Sequence, residues 1–283
     1  MARISNTKPG DFLFGLSRLL LSRMISPLSH SWFLARYGDL VHRMLFSGWK
    51  DVTFNRQNLS FNVPNQICDF RVSRIFSKEP GTIDWLESLN PGTDTMWDVG
   101  ANLGLYTTLA ASKGVRVVAF EPSLLNIMVL ALNVQRNQVQ GLVQIVPVAT
   151  SNESHLYYHA GMPGRDDSHG HSYGHAILPW TSDTLAVEAN TNIQSLPGAM
   201  LTLDQCAELF NLPLPTHLKM DIDGGELKAL SGARGILKSV NSLLLELSDE
   251  CSIEVRELLA EEGFEMQDDE KYHPNNLWLR CPS

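Results

Sequence analysis

The run Trp97-Asp98-Val99-Gly100-Ala101-Asn102-Leu103-Gly104-Leu105-Tyr106-Thr107 constrains the fold of this chain more than any other stretch. Met96, Trp97 and Val99 form an apolar approach that reads as a short buried strand, and the turn from Gly100 to Gly104 opens into a helix-competent run through Ala111. Strand, glycine turn and helix start together outline a nucleotide-type site at the carboxyl end of a parallel strand. Glycine permits backbone conformations or close contacts that a Cβ blocks, so Gly100, Ala101, Asn102 and Gly104 are expected to present main chain to a ligand.

The identity of that ligand follows from the acids. A dinucleotide fingerprint reads G-x-G-x-x-G, whereas this chain reads D-x-G-x-N-x-G, with Asn102 where a nicotinamide oxidoreductase needs glycine. The next apolar run, Val115 to Phe120, ends in Glu121-Pro122, which places a carboxylate at the tip of the neighbouring strand, where ribose hydroxyls need an acceptor. Asp98 repels a diphosphate and attracts a cationic ligand with an α-amino group. Together Asp98 and Glu121 favour S-adenosyl-L-methionine over NAD. The plainer alternative is a structural strand-turn-helix with an acidic cap.

A second chemical centre is His217-Leu218-Lys219-Met220-Asp221-Ile222-Asp223. A central strand of a helix-covered parallel sheet should be apolar on both faces, yet His217, Lys219, Asp221 and Asp223 share one parity. Such a row is costly to bury unless its charges are paired or face a cleft. Clefts in open α/β sheets lie beyond the carboxyl ends of the strands, so Asp221 and Asp223 are candidates for contacting the methionine moiety and for positioning or deprotonating an acceptor. Each has a plainer reading: Asp223 as N-cap of a helix from Gly224 to Leu230 with Glu226 completing a capping box, and Lys219 as a neutralising partner of Asp221. The strand from Ser242 to Leu247 carries one acid, Glu246, near the same end, a further candidate for the acceptor's proton.

These motifs carry a resemblance. With Ala119-Phe120-Glu121-Pro122-Ser123, Leu203-Asp204 and Leu218 to Glu226, the chain resembles the FkbM family of S-adenosylmethionine-dependent methyltransferases, in order from about Lys78 to Phe264. It departs at Gly225, where the family carries Ala or another small apolar residue, and at Asp223, where many relatives have Glu. The resemblance implies an α/β, Rossmann-like class I methyltransferase fold: a seven-stranded, mostly parallel sheet with an antiparallel last strand. It also implies S-adenosyl-L-methionine as cofactor, held by Asp98, Gly100, Ala101, Asn102, Gly104, Glu121, Ala149 at the third strand's tip, and Asp221. Catalysis would fall to Asp221, Asp223 and Glu246, in O-methylation of a sugar, glycan or secondary metabolite. A non-catalytic S-adenosylmethionine-binding regulator would keep Asp98 and Glu121 but need not keep the Lys219, Asp221, Asp223 row. Analogy with some O-methyltransferases would let Asp221, Asp223 and Glu246 hold a divalent metal, but the sequence does not bring the three together and no metal site is assigned.

Charge narrows the partners. Residues 1–77 hold ten Lys or Arg against four Asp or Glu, while residues 78–283 hold twelve against twenty-seven. A catalytic region this acidic is a poor partner for nucleic acid, so a small-molecule or glycan substrate is expected. Cys68, Cys206, Cys251 and Cys281 are far apart with no C-x-x-C pair, indicating neither zinc site nor disulfide framework, and a reducing, cytoplasmic location is the default.

The same charge break suggests a division into an N-terminal helical extension with a short strand or hairpin, residues 1–77, and a methyltransferase domain, residues 78–283. Leu13, Leu16, Leu20 and Met24 fall at helical spacing within residues 11–28, and a second helix is expected from Trp32 to Phe46. Peripheral attachment of residues 11–28 to an anionic membrane and packing on the domain or on a second subunit are the two readings. Residues 150–200 hold scattered glycines and five of the nine histidines, including His169 and His171 near Asp166 and Asp167. They read as a solvated substrate loop, or else as a metal site or a source of a base.

Overall fold

The computed structural model describes residues 48–159, 196–222, 224–247, 252–267, 270–272 and 275–282. The expected helices at 11–28 and 32–46, the histidines at 169, 171 and 175, and Asp223 lie outside the described residues. The chain divides into two compact units, Met1–Gly48 and Trp49–Ser283, and every element below belongs to the second.

A hairpin opens this unit: β1 (Trp49–Phe54) pairs antiparallel with β2 (Gln57–Asn62) across Asn55-Arg56, both at positive φ. Helices α1 (Gln66–Lys78) and α2 (Pro80–Ser88) follow, with Asn65 capping α1 by accepting from the Cys68 N–H. Pro80 opens α2, where a missing N–H costs nothing.

The central sheet is then laid down by alternation of strand and helix, as the apolar runs require. Its strands are β3 (Thr95–Val99), β4 (Arg116–Phe120), β5 (Val143–Val146), β9 (His217–Met220), β10 (Ser242–Glu246), β11 (Phe264–Gln267) and β12 (Asn275–Arg280), in the spatial order β11-β12-β10-β9-β3-β4-β5. Only β12 runs antiparallel to its neighbours, so the expected seven-stranded, mostly parallel α/β sheet is present. A separate three-stranded sheet joins β6 (Ala149–Thr150), β7 (His155–His159) and β8 (Leu196–Leu201) in the order β6-β8-β7.

Strand parity divides the interior in two. One face carries Met96, Val117, Leu244 and Leu277 and packs on α2, on α3 (Leu105–Ser112) and on Val134 of α4 (Leu124–Arg136), with Phe54, Leu59 and Phe61 of the hairpin in the same cluster. The other carries Trp97, Val99, Val118, Phe120, Leu218, Met220, Leu243 and Leu245. It is covered by α5 (Leu203–Leu209), α6 (Glu226–Ser231), α7 (Arg234–Leu237) and α8 (Ser252–Glu261). Asp98 and Lys219 are register partners on the first face, next to the apolar layer rather than in place of it.

Ser123 stands at the N-cap of α4 without a side-chain cap hydrogen bond, and one local expectation changes. Helix α6 starts at Glu226 with Gly225 in the cap position, not at Gly224 behind an Asp223 cap. Glu226 instead turns its Oε1 back to accept from the N–H groups of Ile222 (3.2 Å) and Gly224 (3.3 Å), tying down the turn after β9.

Candidate active site

Because β3, β4, β9 and β10 run parallel, their carboxyl ends open on one edge of the sheet, and Asp98, Glu121, Asp221 and Glu246 lie at that edge. Asp98, the last residue but one of β3, has only 1% of its surface exposed. Its Oδ2 accepts from the Thr107 hydroxyl at 2.6 Å, while its Oδ1 is buried without a hydrogen-bond partner among the described residues. Burial pushes its carboxyl up, against the opposing pull of Lys219 and Thr107.

Glu121, just past β4, is equally enclosed. It accepts from the N–H of Ser123 at Oε1 and from the N–H of Asn102 at Oε2, each at 2.8 Å. Burial outweighs these bonds and the one from Asn126, raising the carboxyl to about 7.

The turn itself departs from expectation. Gly100 and Ala101 both donate to the Phe120 carbonyl, at 3.0 and 2.9 Å, Asn102 donates to Glu121, and Gly104 donates to Ala101 at 2.8 Å. These four amides are satisfied within the fold. Gly100 (φ +84°) has a different need for glycine, since a Cβ would overlap the Asp221 carbonyl oxygen; at Gly104 (φ +72°) it would meet the Leu130 side chain. Close packing of the turn against the β9 end and α4 is what excludes side chains.

Asp221 directly follows β9, its N–H bonded to the Val99 carbonyl at 3.0 Å and its side chain 30% exposed. Behind it the Lys219 ammonium is 3.6 Å from Asp221 Oδ2 and 5.0 Å from the centre of the Tyr106 ring. Burial works against that ammonium, yet Asp221, Asp98, Glu79 and Glu246 together hold it charged, above the usual lysine value. Glu246 ends β10 half-buried; burial first and then Asp221 raise it to about 7, with Lys78 and Lys219 opposing.

The fold adds residues that the motifs did not flag. Glu79, at the α1–α2 junction, accepts at Oε2 from Tyr106 (3.0 Å), Asn275 (2.8 Å) and Thr82 (3.2 Å), and its Oε1 pairs with Lys78 at 2.9 Å. Burial alone would raise Glu79, but Lys219, Lys78 and Asn275 bring it down to about 2. Tyr106 lay inside the turn motif and Glu79-Pro80 reads as a helix start, but no spacing in the sequence connects either with Asn275. Ala149 is buried in β6 beside Met200, one short link beyond the Val146 carbonyl that accepts from the Glu121 N–H at 3.2 Å. Among the described residues no three His, Cys, Asp or Glu side chains are grouped to hold a metal ion.

His217, first of the polar row, serves the opposite end of the strands. Its Nε2 lies 3.1 Å from Asp94 and its Nδ1 2.7 Å from the Ser242 hydroxyl, which also accepts from Trp85 at 2.8 Å. Burial lowers its basicity despite Asp94, so the contact is a neutral hydrogen bond rather than an ion pair.

A curated relative, the hexuronic acid methyltransferase AglP of Haloferax volcanii, is 29% identical over 154 residues, 54% of this chain; the chain spans 56% of that relative's length. Among solved structures, an FkbM methyltransferase of Methylobacillus flagellatus KT is 17% identical, covering 68% of this chain and 45% of its own, with a TM-score of 0.44. Magnesium protoporphyrin IX methyltransferase of Synechocystis PCC 6803, solved with bound SAM, is 11% identical, covering 89% and 94%, with a TM-score of 0.42. A family model described as the methyltransferase FkbM domain matches residues 98–266, from the acid near the end of β3 to the strand β11, and on that match the chain belongs to the FkbM methyltransferase family.

Proposed function

We propose that the chain is an S-adenosyl-L-methionine-dependent methyltransferase that methylates an oxygen of a small hydroxylated acceptor, a sugar or glycan in the first instance. The observation that carries the reading is the pair of buried carboxylates at adjacent strand tips, one of them with an unpartnered oxygen. Asp98 Oδ1 is an acceptor that a cationic amino group would satisfy, and an unpaired buried carboxylate oxygen is costly otherwise. Glu121, fixed by two N–H bonds, retains lone pairs for ribose hydroxyls. The consumed amides of the turn leave little to attract a diphosphate, which weighs against NAD.

The bound cofactor supplies an electrophilic methyl group on a sulfonium. Asp98 and Glu121 hold its two polar ends, and the Gly100 contact with the Asp221 carbonyl keeps the acceptor-side loop against the turn. Bound there, S-adenosylmethionine would supply its methyl group to the acceptor oxygen with the sulfur as leaving group, and a carboxylate would take the hydroxyl proton. Glu246, with a proton affinity near neutrality, is the group for that transfer, and Asp221 orients the hydroxyl. Most of the acceleration would come from alignment. Uronic acids head the acceptor panel because a relative 29% identical is described as a hexuronic acid methyltransferase.

Calorimetry with S-adenosylmethionine, its demethylated product and NAD tests the cofactor, and transfer of labelled methyl to uronic acids, neutral hexoses and simple alcohols tests the acceptor. Binding of the first two, and its weakening by roughly 10- to 100-fold in Asp98→Asn and Glu121→Gln, is expected, because a hydrogen bond to a charged group is worth about 1.5–3 kcal/mol. Binding of NAD alone would overturn the reading.

A further inference from the structure

Lys219 is a charged side chain with 2% of its surface exposed, in a strand enclosed by β3 and β10. A buried ammonium is strongly unfavourable unless its charge is compensated in good geometry. Its compensation comes from both sides of the site. Asp98, on the cofactor side, is its register partner across β3 and β9; Asp221, on the acceptor side, is 3.6 Å away; the Tyr106 ring lies beneath it at 5.0 Å. That ring is fixed in turn by its hydroxyl, which donates to Glu79.

We propose that Lys219 is a positioning residue for methyl transfer: its ammonium, seated on Tyr106, pins the carboxylates of Asp98 and Asp221 to one fixed charge, so that donor and acceptor are held in register and Glu246 is left to take the hydroxyl proton. This rests on the methyltransferase reading of the site. The charged or titratable groups around the ammonium are Lys78 at the end of α1, Glu79 after it, Asp98 of β3, Tyr106 of α3, Asp221 after β9 and Glu246 of β10, with Glu226 of α6 acting on Asp221. Asp98, Glu79, Asp221 and Glu246 outnumber the cations Lys219 and Lys78 two to one. Removing Lys219 therefore leaves like charges facing each other, and the carboxyl groups respond by holding protons more tightly.

The test compares wild type, Lys219→Met and Lys219→Arg by two readouts: the pH dependence of kcat with the best acceptor, and the titration of the Glu246 carboxyl by carbon-13 NMR. In Lys219→Met both midpoints are expected to move up by about one pH unit or more, and kcat at pH 7 to fall roughly fivefold or more from loss of ionised base, with the arginine variant returning toward wild type. If Lys219→Met folds with both midpoints unmoved, the lysine is merely a core filler and the proposal is wrong. Should Lys219→Met fail to fold, Tyr106→Leu removes the seat and keeps the charge; it is expected to lower kcat and to move the Glu246 midpoint, and an unchanged kcat overturns the idea. A wild type that binds no S-adenosylmethionine would defeat the function instead, and the NMR midpoint would still decide whether Lys219 governs Glu246.

Discussion

At position 100 glycine is required twice over. Its φ of +84° is left-handed, which costs an L-residue about 1–2 kcal/mol, and a Cβ would overlap a backbone oxygen that cannot swing aside. At position 104 the φ is similar, at +72°, but the obstacle is the end of the Leu130 side chain, which can move. Gly100→Ala is therefore expected to lower the thermal midpoint more than Gly104→Ala, as scanning calorimetry of the two variants would read; equal losses would mean that the overlap at Asp221 relaxes freely. Both glycines were legible from their spacing, although the reason for them was not. The sequence suggests a surface for a ligand, whereas the structure shows the turn packed on the β9 end.

Among the elements, the amino ends of β3, β9 and β10 are clamped by the chain Trp85, Ser242, His217 and Asp94. With Nε2–H donated to Asp94, the Nδ1 of His217 accepts from Ser242, and protonation would set two donors against one hydroxyl. Burial accordingly lowers the folded pKa of His217. An unfolded imidazole binds its proton near pH 6.5, so stability is full above that value and falls as the pH drops below it. Urea denaturation at pH 7.5 and 5.5 should show wild type losing more stability than His217→Gln over that interval, and equal losses would assign the acid sensitivity elsewhere.

Asn133 of α4 performs a similar linking role. It accepts from the Asn62 N–H and donates to the Leu103 carbonyl, both at 2.7 Å, so it joins the hairpin to the glycine turn from a fully buried position. Replacement by Leu strands both groups at about 1–3 kcal/mol each, so equilibrium unfolding should show a loss of roughly 2–6 kcal/mol. No local pattern within α4 shows that Asn133 serves a turn 30 positions earlier.

On the scale of the whole molecule, the acids converge because four strands run the same way. A ligand that binds only the folded chain stabilises it by about 2.7 kcal/mol at one hundred times its Kd. For a chain of this size that is a rise of roughly 5–10 °C, expected with S-adenosylmethionine and absent with NAD in a thermal shift series. No helix of the described residues is long and apolar enough to cross a membrane.

Local pattern was sufficient for the strand-turn-helix order, for the acids at the ends of β3, β4, β9 and β10, and for the family, because period and punctuation are properties of neighbouring residues. It could not show that Tyr106 and Asn275 both donate to Glu79, 196 positions from Asn275 in the chain, with the Tyr106 ring against Lys219. Hydrogen bonding and charge compensation depend on distance in space, and only the folded sheet brings those groups within a few ångströms. The proton affinities near neutrality at Glu121 and Glu246 have the same origin, since burial is conferred by the layers above and below and is not written in any one segment.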